Sequence, residues 1–108
     1  MSHLVRNQWP YFRLFVSDIT DIQRQGLLET ITKEQLKALV QIVVNFLRGV
    51  LTAKPATLST LEKHKSLFRR LADDQIPIRS KKKLLRKRQE AVTKLLKAVT
   101  PSLKAYLR

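Results

Sequence analysis

Between Leu36 and Leu51 the chain carries Leu39, Val40, Ile42, Val43, Val44, Phe46, Leu47 and Val50, and at about 100° per residue these fill more than half of a helical circumference. Lys37, Gln41, Asn45 and Arg48 leave only a narrow polar strip. An apolar arc that wide exceeds what a surface helix needs, so this segment is expected to be a central helix covered on several sides. Thr32 and Gln35 mark its start as a capping-box pair, in which hydroxyl and amide each satisfy a backbone N–H left open at a helix beginning. Gly49 and Pro55 mark its stop.

The rest of the chain reads as helices around that one, about five pieces in all, with no need for a strand. Residues 1–16 form an aromatic segment in which Pro10 suits a first helical turn, so a short helix and an extended arm fit equally well. Its Trp9, Tyr11, Phe12 and Phe15 read first as a lid on the core, with an oligomer interface or a base-stacking platform as alternatives. A second piece begins at Ser17 or Thr20 and runs through Ile22, Leu27, Leu28 and Ile31, tolerating Gly26. Ser59 and Glu62 repeat the capping-box pattern and are expected to open a fourth helix with Leu61, His64, Leu67, Phe68, Leu71 and Ala72 on one side. There His64 reads as a packed core imidazole. Asp73-Asp74-Gln75-Ile76-Pro77 then breaks the chain, and Thr100-Pro101 reads as the start of a last short helix. The expectation is an all-α, single-domain bundle of four to five helices over residues 1–108, with a long basic amphipathic helix over residues 79–99.

Charge restricts the partner. The 22 Lys and Arg against 8 Asp and Glu give a formal net charge of +14, and it is unevenly spread. Residues 1–53 hold six basic and four acidic side chains, whereas residues 54–108 hold sixteen and four. Like charge at that density repels itself unless a polyanion is near. On a helical wheel Leu84, Leu85, Ala91, Val92, Leu95, Leu96 and Val99 gather on one face, and Arg79, Lys82, Lys83, Arg86, Lys87, Lys94 and Lys97 on the other. A single helix from Arg79 to Lys97 would be about 27 Å long, a length over which duplex DNA presents on the order of fifteen phosphates. Arg69 and Arg70 are expected to widen the patch. Lys81 and Arg88 fall toward the apolar side: either their stems snorkel out, or the helix meets its neighbour only beyond Arg88 and its first half stands free, and the second reading is preferred. A lysine-dominated ridge meets phosphates as point charges, so binding is expected to tolerate any base sequence.

Other chemistries find little footing. With no cysteine there is no disulfide framework or thiolate zinc site, and two separate histidines do not make a metal site. No metal or cofactor is therefore expected, and no small-molecule substrate. Asp73-Asp74 reads as a turn, no phosphate-cradling loop or nucleophile motif occurs, and the chain is not expected to be an enzyme. No uninterrupted apolar stretch approaches a membrane span or a signal peptide.

Lys33-Glu34-Gln35-Leu36-Lys37-Ala38-Leu39, then Lys63-His64-Lys65 leading to Leu71-Ala72-Asp73, then Lys81-Lys82-Lys83-Leu84-Leu85 follow one another in an order that resembles the small basic helical proteins of Polinton-like and adintovirus-like double-stranded DNA viruses. The resemblance covers about residues 27–88. It implies a virion or virus-encoded protein, a genome-condensing core protein comparable to the basic core peptides of adenoviruses, acting inside the cell in the nucleus or in the virion. Those relatives follow the lysine run with a glycine-rich apolar stretch, where this chain has Gln89-Glu90-Ala91-Val92.

The leading expectation is a non-catalytic, sequence-tolerant nucleic-acid binder, with double-stranded DNA as partner. The alternative is a helical interaction adaptor or virion structural protein whose basic helix docks an acidic partner, with homo-oligomerisation open. A third reading lays the basic helix on an anionic membrane surface.

Overall fold

A computed structural model describes residues 3–107, which form eight helices and no strand. The all-α class holds, and the expected helix count was too low for three separate reasons.

The first lies in the aromatic segment. It folds as two short helices, α1 (His3–Asn7) and α2 (Trp9–Phe15), with Pro10 in the first turn of α2. Val5, Phe12 and Phe15 are buried in the core, and Trp9 and Tyr11 pack against it. The segment is thus part of the hydrophobic core. Next comes α3 (Asp21–Glu29), opened by a capping box between Thr20 and Gln23. Helix α4 (Lys33–Leu47) opens with the Thr32–Gln35 capping box and ends where Gly49 adopts φ +77, a left-handed conformation that costs a residue with a Cβ about 1 kcal/mol. Leu36, Ala38, Leu39, Ile42 and Val43 are buried, and α4 packs against α1 and against two later helices, as the breadth of its apolar arc requires.

The second reason is at Ser59. Helix α5 (Pro55–Glu62) begins at Pro55, whose missing N–H is not needed in a first turn, so Ser59 lies inside the helix. A break at Lys63 separates it from α6 (Lys65–Ala72), and His64 becomes the N-cap of α6, half-buried rather than packed in the core.

The third reason is the basic helix. It is two helices, α7 (Ile78–Lys87) and α8 (Gln89–Leu107), separated by Arg88, whose φ −123 and ψ 36 lie outside the helical range. A straight helix over both segments would be about 44 Å long. The protein measures 30 × 27 × 27 Å, so an unbroken helix would carry about a third of its length, apolar face included, beyond the bundle. Bending at Arg88 lets Leu85 on one side and Ala91, Val92, Leu95, Leu96, Val99 and Leu103 on the other all reach the core. The first half does not stand free: α7 packs against α3, α4 and α6, with Lys81 and Leu85 buried. The expected stop at Thr100-Pro101 is also absent. Pro101 sits within α8, and the Thr100 hydroxyl donates to the Leu96 carbonyl one turn back. The carbonyl that Pro101 leaves without its helical donor belongs to Lys97, an exposed residue whose backbone water can serve.

Among the described residues no helix is long and apolar enough to cross a membrane.

Candidate nucleic-acid interface

Helix α7 is oriented by its buried pair. Lys81 and Leu85, four residues apart, are 6% and 0% exposed. With that pair inward, steps of about 100° place Arg79, Lys83, Arg86 and Lys87 within an arc of about 100° on the opposite side. All four are exposed, and none is paired with an acid among the described residues. Lys82 falls between the two faces and is half-buried.

Lys81 belongs to the inward face of α7 although it is basic. Its stem is covered, yet no side-chain nitrogen or oxygen among the described residues is buried without a hydrogen-bond partner, and Lys81 has no such partner. Its ammonium therefore reaches the surface past its own aliphatic chain, as long cationic side chains do. Lysine here serves as an apolar packing element with a wet end.

Arg69 and Arg70 lie on the adjoining helix. Leu67, Phe68 and Leu71 turn α6 inward, which leaves Ser66, Arg69 and Arg70 exposed. Helices α6 and α7 pack on each other and both rest on α4, so their outer sides face away from the same central helix. Six arginines and lysines thus lie exposed on two neighbouring helices.

The cations expected beyond Arg88 do not join that arc. Lys94 is bound to Glu90 one turn back at 3.0 Å. This bond and the lysine charge lower the Glu90 carboxyl below its ordinary range. Lys97 lies in the groove between α8 and α5, where Lys54, Thr57 and Ser102 are its neighbours. The continuous seven-residue ridge read from the wheel is therefore divided: five members lie on α7, and Lys94 and Lys97 lie on α8 around the bend.

Two further basic residues lie outside the expected set. Lys54 shares the Lys97 groove although nothing local in the sequence connects them. Arg88 is exposed, and its Nη2 lies 3.1 Å from His64 Nδ1, which joins the α7–α8 bend to the α5–α6 bend. A guanidinium has only donors, so the histidine nitrogen accepts.

Comparison with protein-family models, with curated proteins and with solved structures finds no match to this chain.

Proposed function

We propose that the protein is a non-catalytic nucleic-acid binder that grips the phosphate backbone of double-stranded DNA with α7, assisted by α6. The observation that carries this reading is the exposed, acid-free arc of Arg79, Lys83, Arg86 and Lys87 opposite the buried Lys81–Leu85 pair. From Arg79 to Lys87 the helix advances about 12 Å, over which duplex DNA carries about seven phosphate charges. Four point charges along that rise meet several phosphates without a base needing to be read. A formal charge of +14 would further speed encounter with any polyanion.

The resemblance of residues 27–88 to basic proteins of Polinton-like and adintovirus-like viruses supports a packaged double-stranded DNA genome as the polymer, in a virion or a nucleus. The test is a binding titration over a series of salt concentrations with duplexes of unrelated sequence. The reading predicts nearly equal affinities across sequences, falling steeply with salt at a logarithmic slope of about four or more. A flat salt dependence would rule it out. One-to-one capture of an acidic protein that survives nuclease, with no duplex binding, would favour the adaptor reading.

A further inference from the structure

Ser80 lies between Arg79 and Lys81, and the wheel places it beside Lys83 and Lys87 at the edge of the exposed arc. It is the third residue of α7, it is exposed, and its hydroxyl makes no hydrogen bond among the described residues. Pro77 at the N-cap offers no side-chain acceptor, so the first N–H groups of α7 are left without a cap. The approach is open as well: Asp73, Asp74, Gln75, Pro77, Ile78 and Arg79 are all exposed.

We propose that Ser80 is a phosphoacceptor for a serine kinase that selects basic flanks, and that its phosphorylation releases the protein from nucleic acid. The inference rests on the polyanion reading of α7. In the transfer, Ser80 Oγ attacks the γ-phosphorus of a nucleoside triphosphate, and the Oγ–P bond forms as the bond to the diphosphate leaving group breaks. The hydroxyl proton passes to the catalytic carboxylate of the kinase. The product adds a charge of about −1.5 to −2 at the start of a helix, where uncapped N–H groups and the helix dipole favour an anion. The same charge sits beside Arg79 and Lys83 and removes about half of what the four arc cations present to a phosphate backbone. Phosphorylation therefore steadies α7 while it discharges the surface.

Ser66 is the competing acceptor, since it is also exposed and lies beside Arg69 and Arg70. Neither helix start has a side-chain cap, but around the start of α6 the His64 ring is bonded to Arg88 and Lys65 pairs with Glu62 at 3.7 Å. No side-chain bond holds the start of α7. A kinase that must draw a serine out of its first turn meets less resistance at Ser80.

The test treats the full chain with such a kinase and ATP, maps the label by peptide mass spectrometry, and compares it with Ser80→Ala and with protein carrying genetically encoded phosphoserine at position 80. Label on Ser80, duplex affinity lower by about tenfold at about 150 mM salt, and a melting temperature that is unchanged or raised would support the inference. Label confined to Ser66 or other positions, an affinity within about twofold of the unmodified protein, or a fall in melting temperature alongside the loss of binding would overturn it. If unmodified protein binds no duplex, the polyanion reading fails separately. Label on Ser80 with a raised melting temperature then keeps the acceptor assignment, and its absence removes it.

Discussion

The Nε of Arg24 donates to the carbonyl of Phe15 at 2.8 Å, in a site where the arginine is 5% exposed. Its other nitrogens reach the Ser17 carbonyl at 2.7 Å and the Asp21 carboxylate at 3.1 Å. An arginine of α3 thus satisfies carbonyls at and beyond the C-terminal end of α2. The reverse bond also exists: Tyr11 of α2 donates its hydroxyl to the Leu27 carbonyl at 2.8 Å, near the C-terminal end of α3. Each helix closes the other, and this mutual clasp fixes α3, one of the helices on which α7 rests.

Arg24→Ala should therefore lower stability by about 2–4 kcal/mol, because it strips donors from buried carbonyls as well as removing a packed side chain. Arg24→Lys should recover less than half, since an ammonium cannot reproduce the forked geometry. Urea unfolding followed by circular dichroism measures both. A loss below about 0.5 kcal/mol for Arg24→Ala would show that the clasp carries no weight.

Burial raises the Tyr11 phenol above its ordinary value of 10.0. A raised value means that the fold prefers the protonated form, so its contribution is present in full below the ordinary phenol value. It is lost as pH climbs from there toward the raised one. Alkaline titration should show the Tyr11 phenolate absorbance appearing only together with loss of helical signal, and Tyr11→Phe should abolish that late component. The same variant should cost about 1 kcal/mol at neutral pH through the Leu27 carbonyl it leaves without a donor. Phenolate formation from Tyr11 in a still-helical protein would contradict the burial.

The two glycines should answer substitution in opposite directions. A Cβ on Gly26, inside α3, meets nothing within 4 Å, so Gly26→Ala should stabilise the protein by about 0.5–1 kcal/mol. Gly49, at φ +77, should lose about 1 kcal/mol as alanine although the space around it is equally open. Paired thermal melts check this, and a destabilising Gly26→Ala would reveal a close neighbour on α3 that the free chain does not have.

How far the sequence announced this architecture depends on whether the cause was local. Thr32 with Gln35 is a local cause, and α4 begins where that pair puts it. Ser59 with Glu62 has the same spelling and failed, because Pro55 had already started the helix a turn earlier. The bend at Arg88 has no glycine or proline to signal it. It follows from the size of the bundle, which an unbroken helix would overrun. For that reason the basic face of α7 was legible, whereas the turn of the chain that takes Lys97 away from it was not. Lys94 could have been moved out of the ridge from sequence, since Glu90 stands one helical turn before it. Arg24 was not distinguishable by any local signal from the other cations of the chain.

On the proposed function, nucleic acid meets α7 on the arc opposite Lys81 and Leu85. The most direct measurement is the salt dependence of duplex binding for a variant with Arg79, Lys83, Arg86 and Lys87 all changed to Gln, beside Lys81→Met, each confirmed to be folded. At about 0.9 per lost phosphate contact, the fourfold variant should lose about three to four from the logarithmic slope, and Lys81→Met should keep the wild-type slope. An unchanged slope in the fourfold variant, or a comparable loss in Lys81→Met, would place the contact elsewhere on the protein.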